Sequence, residues 1–232
     1  MQTWRAVVVP WSVWLLEFLF PTRCVVCGAA GELACSACRT LTRLGPPLCA
    51  CCGAPTAWPV SRCSECSSRR LAFTSARAAV AYAGPTRPLV RAWKGRGVRP
   101  LVTEAADLVA ECVPRPAADV ITYIPPDGDR SVKRGHKPAK DLAAALGERW
   151  GLPIACLLTR TRAVARQTGL PRTERRRNMR GAFAAAHAGV PARVVLVDDV
   201  YTTGATADAA AAALRAGGAR EVHVVALARA VR

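Results

Sequence analysis

The chain of 232 residues is long enough for one large domain, or for a medium domain with a small module. Its hydrophobic share of 51% is sufficient for a globular core, and its 21% of charged residues argues against wholesale disorder. The formal net charge of +17 at pH 7 favours an anionic partner such as nucleic acid, a nucleotide or a membrane surface, with a solvated Arg-rich surface as the alternative.

The amino-terminal segment is apolar but too interrupted to span a bilayer. Its run from Ala6 to Phe20 is broken by a proline, a serine and Glu17, and the PTRC that follows is a poor signal-peptide cleavage site. We therefore expect residues 1–23 to contain a helix that docks on the protein, with contact to a membrane interface as the alternative. A cytoplasmic location is expected, with the inner face of the membrane as the alternative.

Nine of the eleven cysteines lie between residues 24 and 66, in the four stretches CVVC, CSAC, CACC and CSEC. Eight thiolates are enough for two tetrahedral zinc sites, because the C-x-x-C spacing lets one tight turn present both sulfurs to one ion. Cys51 is the expected spare. The predicted ligands are Cys24, Cys27, Cys35, Cys38, Cys49, Cys52, Cys63 and Cys66.

Two other interpretations of the cysteines compete with structural zinc. A disulfide framework would need an export signal, and an iron–sulfur cluster is also held by four thiolates. Sequential pairing, 24/27 with 35/38 and 49/52 with 63/66, is the simplest arrangement, and a crossed one is also allowed. A segment this short cannot bury much core, so metal binding would supply its folding energy.

From about residue 70 the chain alternates between predicted strands and helices. Strands are predicted in ARAAVAY, ADVITYIP, PIACLL, ARVVLVDD and EVHVVALA, and helices in LVTEAADLVAECV, AKDLAAALGERW and ATADAAAAALRAGG. This alternation predicts an α/β domain over residues 70–232, with a parallel sheet flanked by helices. Such sheets bind ligands at the carboxyl ends of their strands.

Three segments fall at those carboxyl ends: VVLVDDVYTTGAT, a loop over residues 125–136, and an arginine-rich loop. The arginine-rich loop, from Arg160 to Arg180, has eight arginines against the single Glu174, which suits an anion-binding loop, with a disordered basic linker as the alternative.

The stretch VVLVDDVYTTGAT places two acids before a turn rich in hydroxyl groups. Asp198 and Asp199 end a predicted strand, and the turn presents backbone amides and threonine hydroxyls at the start of a helix, a geometry that holds phosphate. Gly204 lets the backbone approach closely. The carboxylates then accept hydrogen bonds from vicinal sugar hydroxyls or from Mg²⁺ ligands. A ribose 5-phosphate therefore suits both the carboxylate pair and the turn. A Walker-type ATPase is excluded because G-x-x-x-x-G-K-[ST] does not occur.

The stretch VVLVDDVYTTGAT resembles the phosphoribosyl diphosphate (PRPP) signature of type I phosphoribosyltransferases. Over residues 15–230 the chain resembles the ComF family of competence-associated proteins, whose other landmarks here are LFPTRCVVC, YAGPTRPLVRAWKGRG, IPPDGDRSVKRGH and TRTRAVARQTGLPRTERRRNMRGAF. The resemblance implies a double zinc ribbon over residues 24–68 with two structural zinc ions, followed by a type I phosphoribosyltransferase-like domain.

The resemblance also assigns roles to individual residues. Asp198 and Asp199 would hold the ribose hydroxyls as the catalytic pair, and Lys94 would face the pocket. The PRPP-binding residues would be Val200, Tyr201, Thr202, Thr203, Gly204, Ala205 and Thr206. The pyrophosphate loop would carry Arg130, Lys133, Arg134 and Gly135. The flexible loop that closes over the site would carry Arg160, Arg162, Gln167, Arg176, Arg177 and Asn178.

The implied activity is transfer of a phosphoribosyl group from PRPP, bound with Mg²⁺, to an acceptor, in a protein linked to DNA uptake. His136 is the candidate general base, with a solvated loop histidine as the alternative. Many relatives have R-G-F-N-Q where this chain has RGHKP, so contacts made by that Asn or Gln are not expected here. Gln2 stands where amidotransferase relatives carry a cysteine nucleophile, so glutamine hydrolysis is not expected either.

Two alternative functions use the same fold without catalysis. The first is binding of single-stranded DNA, with the competence helicase as a further implied partner and Tyr82, Trp93 and Tyr201 as candidate stacking residues. The second is binding of PRPP as a sensor.

Overall fold

The computed structural model describes residues 21–38, 43–96, 100–126, 136–161, 179 and 181–231. The chain divides into two compact units, Met1–Thr40 and Leu41–Arg232. Most of the segment in which the amino-terminal helix is predicted lies outside the described residues. The domain limits 24–68 and 70–232 stay predictions.

The larger unit, Leu41–Arg232, is built on a parallel sheet. Within the described residues its elements are β1 (Ser75–Ala81), α1 (Thr86–Arg96), α2 (Leu101–Cys112), β2 (Val120–Tyr123), α3 (Pro138–Trp150), β3 (Leu158–Arg160), β4 (Phe183–Ala185), β5 (Arg193–Tyr201), α4 (Ala205–Ala216) and β6 (Glu221–Arg229). The strands β1, β6, β5 and β2 lie side by side in that order and are all parallel, whereas β3 and β4 form a separate antiparallel pair. The predicted parallel sheet with flanking helices is therefore confirmed.

Strand β5 is one of the two central strands of the sheet, and its residues Val194–Val197 are all fully buried. Because side chains of a strand alternate between faces, burial of four in a row means that both faces are covered. On one face, Val194 and Leu196 share a hydrophobic cluster with Leu214 and the alanines of α4. Helices α2 and α3 pack against each other and against the sheet, which places them over the face of Val195 and Val197.

Two parts of the predicted element order need correction. The stretch PIACLL contributes one bridge, Ile154 with Ile121, and the regular strand begins only at Leu158, where it pairs antiparallel with β4. Hydrogen bonds from the Ile121 amide to Pro153 and from the Ala155 amide to Ile121 hold this stretch along β2. Helix α1 and strand β4 were not predicted.

Residues 43–74 of the same unit lie along the free edge of β1. The Leu44 amide donates to the Ala79 carbonyl at 2.9 Å, and the Ala76 amide donates to the Cys51 carbonyl at 2.8 Å. Gly53 has a φ of +68°, and a side chain there would clash with the Ala76 carbonyl. Backbone from this segment therefore covers part of the edge of β1 and pairs some of its exposed groups.

Among the described residues, no helix has both the length and the apolar character needed to cross a membrane.

Candidate functional site

The eight predicted metal ligands form two groups of four. Cys24, Cys27, Cys35 and Cys38 make the first cluster, and Cys49, Cys52, Cys63 and Cys66 make the second cluster; within each, all four sulfurs lie within 4.8 Å of one another. The sequential pairing is therefore the one observed. All of these cysteines are free thiols rather than disulfides.

The sulfur spacing fits tetrahedral zinc. Four ligands at a Zn–S distance of about 2.3 Å stand roughly 3.8 Å apart along the edges of a tetrahedron. The Sγ atoms of Cys27 and Cys35 are 3.6 Å apart, those of Cys52 and Cys63 are 3.5 Å apart, and those of the second cluster's Cys63 and Cys66 are 4.0 Å apart. Both clusters would hold structural ions, since every ligand position is occupied by the chain.

Hydrogen bonds from backbone amides lower the pKa of one cysteine in each cluster. In the first cluster, the Cys35 amide donates to the Cys24 sulfur at 3.5 Å, and this bond, with that from Cys27, lowers the pKa of Cys24 to about 6. In the second cluster, burial raises the pKa of Cys49, but amide bonds from Cys52 and Cys63 outweigh it and lower the pKa to about 6. A preformed thiolate favours metal binding because only the deprotonated sulfur is a ligand.

The two tandem acids lie at the carboxyl end of β5, as predicted. Asp198 and Asp199 are both partly buried, and each accepts the backbone amide of the next residue through its own Oδ1. The ammonium of Lys94, from helix α1, lies 2.7 Å from Asp199 Oδ1. Lys94 thus lies beside the tandem acids, and its role towards a ligand stays a prediction.

The charges of this group are strongly coupled. Burial, together with the negative charge of Asp199, raises the pKa of Asp198 to about 7. Burial lowers the pKa of Lys94, but the two aspartates reverse that effect and raise it above its ordinary value. The group therefore places the Asp199 side chain against the Lys94 ammonium, beside a second carboxyl, Asp198, whose pKa is raised to about 7.

The turn after the acids, residues 202–206, is closed by a left-handed glycine. Gly204 has a φ of +71°, and helix α4 begins with the bond from the Asp208 amide to the Gly204 carbonyl. The Ala205 amide donates to Thr203 Oγ1 at 3.3 Å. The next two amides, of Thr206 and Ala207, have no intrahelical acceptor because they belong to the first turn of a helix. The turn thus offers two directed donors at the positive end of α4.

Side chains from several segments support this turn from below. Tyr201 is buried, its ring meets Phe73 edge-on at 6.2 Å, and a side chain at Gly204 would clash with its hydroxyl. The guanidinium of Arg229 stacks on the Tyr201 ring at 4.7 Å. Arg69 donates to the Thr203 carbonyl at 3.0 Å. Tyr201 is accordingly a buried support of the turn, and its contacts with Phe73 and Arg229 were not predicted.

The predicted anion loops are described only where they begin. Arg160 donates to the Pro125 carbonyl at 3.2 Å, and its guanidinium stacks on Phe183 at 4.9 Å, so the flexible loop and the pyrophosphate loop start next to each other. The other loop residues lie outside the described residues: Arg130, Lys133, Arg134, Gly135, Arg162, Gln167, Arg176, Arg177 and Asn178.

His136 is neither solvated nor placed as a base through Nε2. The side chain is buried, and Nε2 lies 2.7 Å from the Trp93 carbonyl. Since a carbonyl only accepts, Nε2 carries the proton and donates it. His136 therefore ties the start of α3 to helix α1, which also carries Lys94.

Comparison with known proteins identifies both parts of the chain. Residues 15–68 match the family described as Double zinc ribbon domain, and residues 132–231 match Phosphoribosyl transferase domain. The DNA utilization protein YhgH of Escherichia coli K12 is 29% identical over 207 residues, covering 84% of this chain and 89% of that protein. Competence protein F of Haemophilus influenzae is 26% identical over 226 residues, covering 91% and 98%.

Among solved structures, a glutamine PRPP amidotransferase from B. subtilis matches with 29% identity and a TM-score of 0.39, over 55% of this chain and 26% of that one. The sequence matches confirm the predicted combination of a double zinc ribbon with a phosphoribosyltransferase domain.

Metal content tests the two clusters directly. We expect two zinc ions per chain in protein purified without chelators, and the loss of one ion in each of Cys27→Ser and Cys63→Ser, as measured by atomic emission. Because the second cluster belongs to the unit that contains the sheet, Cys63→Ser should also lower the melting temperature by about 5 °C or more. Iron in place of zinc, or one ion per chain, would contradict the assignment.

The raised pKa of Asp198 should make the free energy of unfolding depend on pH. Its ordinary pKa is 3.8 and its folded pKa is about 7, so the folded state holds a proton that the unfolded state has lost, and stability falls as pH rises towards 7. Asp198→Asn should therefore gain about 1 kcal/mol over the wild type between pH 6 and pH 8 in urea unfolding. Asp119→Asn is the control, because Arg193 lowers the pKa of Asp119, which is therefore ionised at both pH 6 and pH 8. An equal, flat difference for both variants would contradict the assignment.

Proposed function

We propose that this chain, a double zinc ribbon joined to a phosphoribosyltransferase domain, binds PRPP or a related ribose phosphate with Mg²⁺ and transfers the phosphoribosyl group to an acceptor. The observation that carries the proposal is the pairing of two carboxylates with a helix amino terminus across one short turn. One end of this site suits hydroxyl donors, and the other suits an anion. Few ligands other than a phosphorylated sugar present both groups on one small molecule.

The carboxylates would bind the ribose hydroxyls. A vicinal diol offers two O–H donors, and a carboxylate is their strongest neutral-pH acceptor. Lys94, whose ammonium lies 2.7 Å from Asp199 Oδ1, offsets the charge of that side chain and fixes its orientation. Asp198, with its pKa near 7, would release its proton when hydroxyl donors or a metal ion approach.

The turn would bind the 5-phosphate. The Thr206 and Ala207 amides point from the amino terminus of α4, and the partly buried Thr202 and Thr206 add hydroxyl groups. Gly204 brings the backbone close to the ligand without a Cβ in the way. Residues 202–206 contain no lysine or arginine. The positive potential at the turn would therefore come from the helix dipole.

The chemistry would be displacement at the anomeric carbon. The acceptor forms a bond to that carbon as the bond to the pyrophosphate oxygen breaks, and pyrophosphate leaves with the electron pair. Mg²⁺ bound with PRPP would neutralise charge that develops on the leaving group. Arg160, held at the start of both anion loops by the Pro125 carbonyl, would bring a fixed positive charge to the same side.

The biological setting proposed for this reaction is DNA handling. The relatives are named DNA utilization protein and Competence protein F, and the chain has a net charge of +17. Binding of single-stranded DNA without transfer is the second candidate function. Its support is electrostatic, because Trp93 and Tyr201, two of the three candidate stacking residues, are buried.

Ligand binding and pyrophosphate release test the first candidate. Calorimetry with PRPP and Mg²⁺ should show binding, and Asp199→Asn should weaken it at least about tenfold, because charge-assisted hydrogen bonds to the sugar are lost. Incubation with candidate bases should release pyrophosphate in the wild type but not in Asp199→Asn. Asp119→Asn, a carboxylate paired with Arg193 before β2, is the matched control and should behave as the wild type. No heat with PRPP or with ribose 5-phosphate would contradict the proposal.

Salt dependence tests the DNA candidate. If phosphates carry the binding, affinity for a single-stranded oligonucleotide should fall at least about tenfold between 50 and 200 mM salt, because bound counterions are released. Asp199→Asn should keep this affinity, since it removes no positive charge. Affinity that is independent of salt, or that disappears in Asp199→Asn, would contradict a separate DNA surface.

A further inference from the structure

We propose that the second cluster positions the phosphate-binding turn, so that metal binding by Cys49, Cys52, Cys63 and Cys66 controls how well residues 202–206 hold a ribose phosphate. Arg69 and Arg229 are the positioning residues. The ligand part of this inference rests on the proposed function, and the structural part does not.

Arg229 joins the second cluster to the end of the sheet. It is the last residue of β6, is 1% exposed, and lies beside Tyr201 in the parallel register. Its guanidinium donates to the Cys52 carbonyl at 2.6 Å and to the Cys52 sulfur at 3.7 Å, and also pairs with Glu65 at 3.0 Å. A fully buried arginine is tolerated only with such partners, because an unpaired buried charge is very costly.

The charge of a metal-loaded cluster would complement this arginine. Four thiolates around one divalent cation carry a net charge of −2, and the Arg229 guanidinium reaches the Cys52 sulfur of this cluster. Hydrogen bonds to ligating sulfurs orient them, as outer-shell partners do in metal sites generally. Loss of the ion would release the Cys52 sulfur from its fixed position, 3.7 Å from the Arg229 guanidinium.

From Arg229 the contact continues to the turn through Tyr201. The guanidinium stacks on the Tyr201 ring at 4.7 Å, and Phe73 meets the same ring edge-on at 6.2 Å. The Tyr201 hydroxyl fills the space under Gly204 so closely that a Cβ there would clash. A shift of Arg229 therefore moves the ring on which the left-handed residue of the turn rests, because interiors this closely packed transmit displacement.

Arg69 makes a second, shorter connection. It follows Cys66 by three residues, and its amide donates to the Cys66 carbonyl at 3.1 Å. Its guanidinium donates to the Thr203 carbonyl at 3.0 Å and lies 3.7 Å from Asp208. Asp208 also accepts the Ala72 amide at 2.8 Å. The segment that follows the cluster is therefore fixed to Asp208, in the first turn of α4, through both Arg69 and Ala72. The cluster thus holds the turn at Thr203 and at Gly204.

Hydrogen exchange on the full-length protein tests the structural part without any ligand. In Cys63→Ser, the peptide covering residues 201–208 should exchange about tenfold faster, while the α2 peptide, residues 101–112, keeps its protection. Cys27→Ser, which breaks the first cluster in the other compact unit, is the matched control and should leave both peptides unchanged. Unchanged exchange of residues 201–208 in metal-depleted Cys63→Ser would overturn the proposal, as would equal acceleration of every peptide.

A second variant keeps the test independent of cluster loss. Arg69→Gln should retain two zinc ions and the wild-type melting temperature, yet accelerate exchange of residues 201–208 and weaken binding of ribose 5-phosphate about tenfold, because one charged hydrogen bond to the turn is lost. Arg77→Gln is the matched control. Arg77 donates to the Cys49 and Ala50 carbonyls of the same ribbon, and its replacement should change neither exchange nor ligand affinity.

The outcomes separate this inference from the proposed function. If the wild type binds no ribose 5-phosphate but Arg69→Gln still loosens residues 201–208, the proposed function fails and the positioning role stands. If the wild type binds the ligand and Arg69→Gln behaves like Arg77→Gln in both measurements, the positioning role is wrong and the proposed function stands.

Discussion

The structure depends on placing two adjacent carboxylates at the end of a strand whose preceding four residues are fully buried. Like charges in such surroundings repel, which is why burial and Asp199 together raise the pKa of Asp198. The ammonium of Lys94 offsets the remaining charge at 2.7 Å. Helix α1 is therefore part of the site, and the bond from His136 to the Trp93 carbonyl fixes that helix to the start of α3.

The two cysteine clusters are alike in composition and differ in setting. The first lies in the unit Met1–Thr40, and the second lies in the unit that contains the sheet. Residues around the second cluster hydrogen-bond to β1, and Arg229 of β6 donates to Cys52. The second cluster is thus a structural part of the unit that contains the sheet, whereas a separable binding module would need no contact with the end of β6.

Local sequence signals predicted much of this architecture. Hydrophobic periodicity gave most strands and helices, the C-x-x-C spacing gave both clusters, and the tandem aspartates with Gly204 gave the turn. Helix α1 was missed because its sequence contains Pro88 and Gly95, and tertiary contacts, including burial of Val90 and Trp93, stabilise it. PIACLL is apolar like a strand, but its hydrogen bonds follow β2 only briefly.

The contacts that support the turn could not be predicted, because they join residues distant in sequence. Arg229 and Cys52 are 177 residues apart, and Arg69 and Thr203 are 134 apart. A single chain carries no local signal for such pairs, since an isolated arginine in an Arg-rich sequence has many acceptable partners. The buried state of Arg229 is likewise a property of the folded core, and the sequence pattern of β6 predicts only that a strand ends there.

A crystal structure of the protein with ribose 5-phosphate and Mg²⁺ is the most direct measurement. The account predicts the phosphate within hydrogen-bond distance of the Thr206 and Ala207 amides, and the ribose hydroxyls on Asp198 or Asp199. Ligand density elsewhere on the chain, with the Lys94–Asp199 pair unchanged and the amino terminus of α4 facing only water, would contradict it.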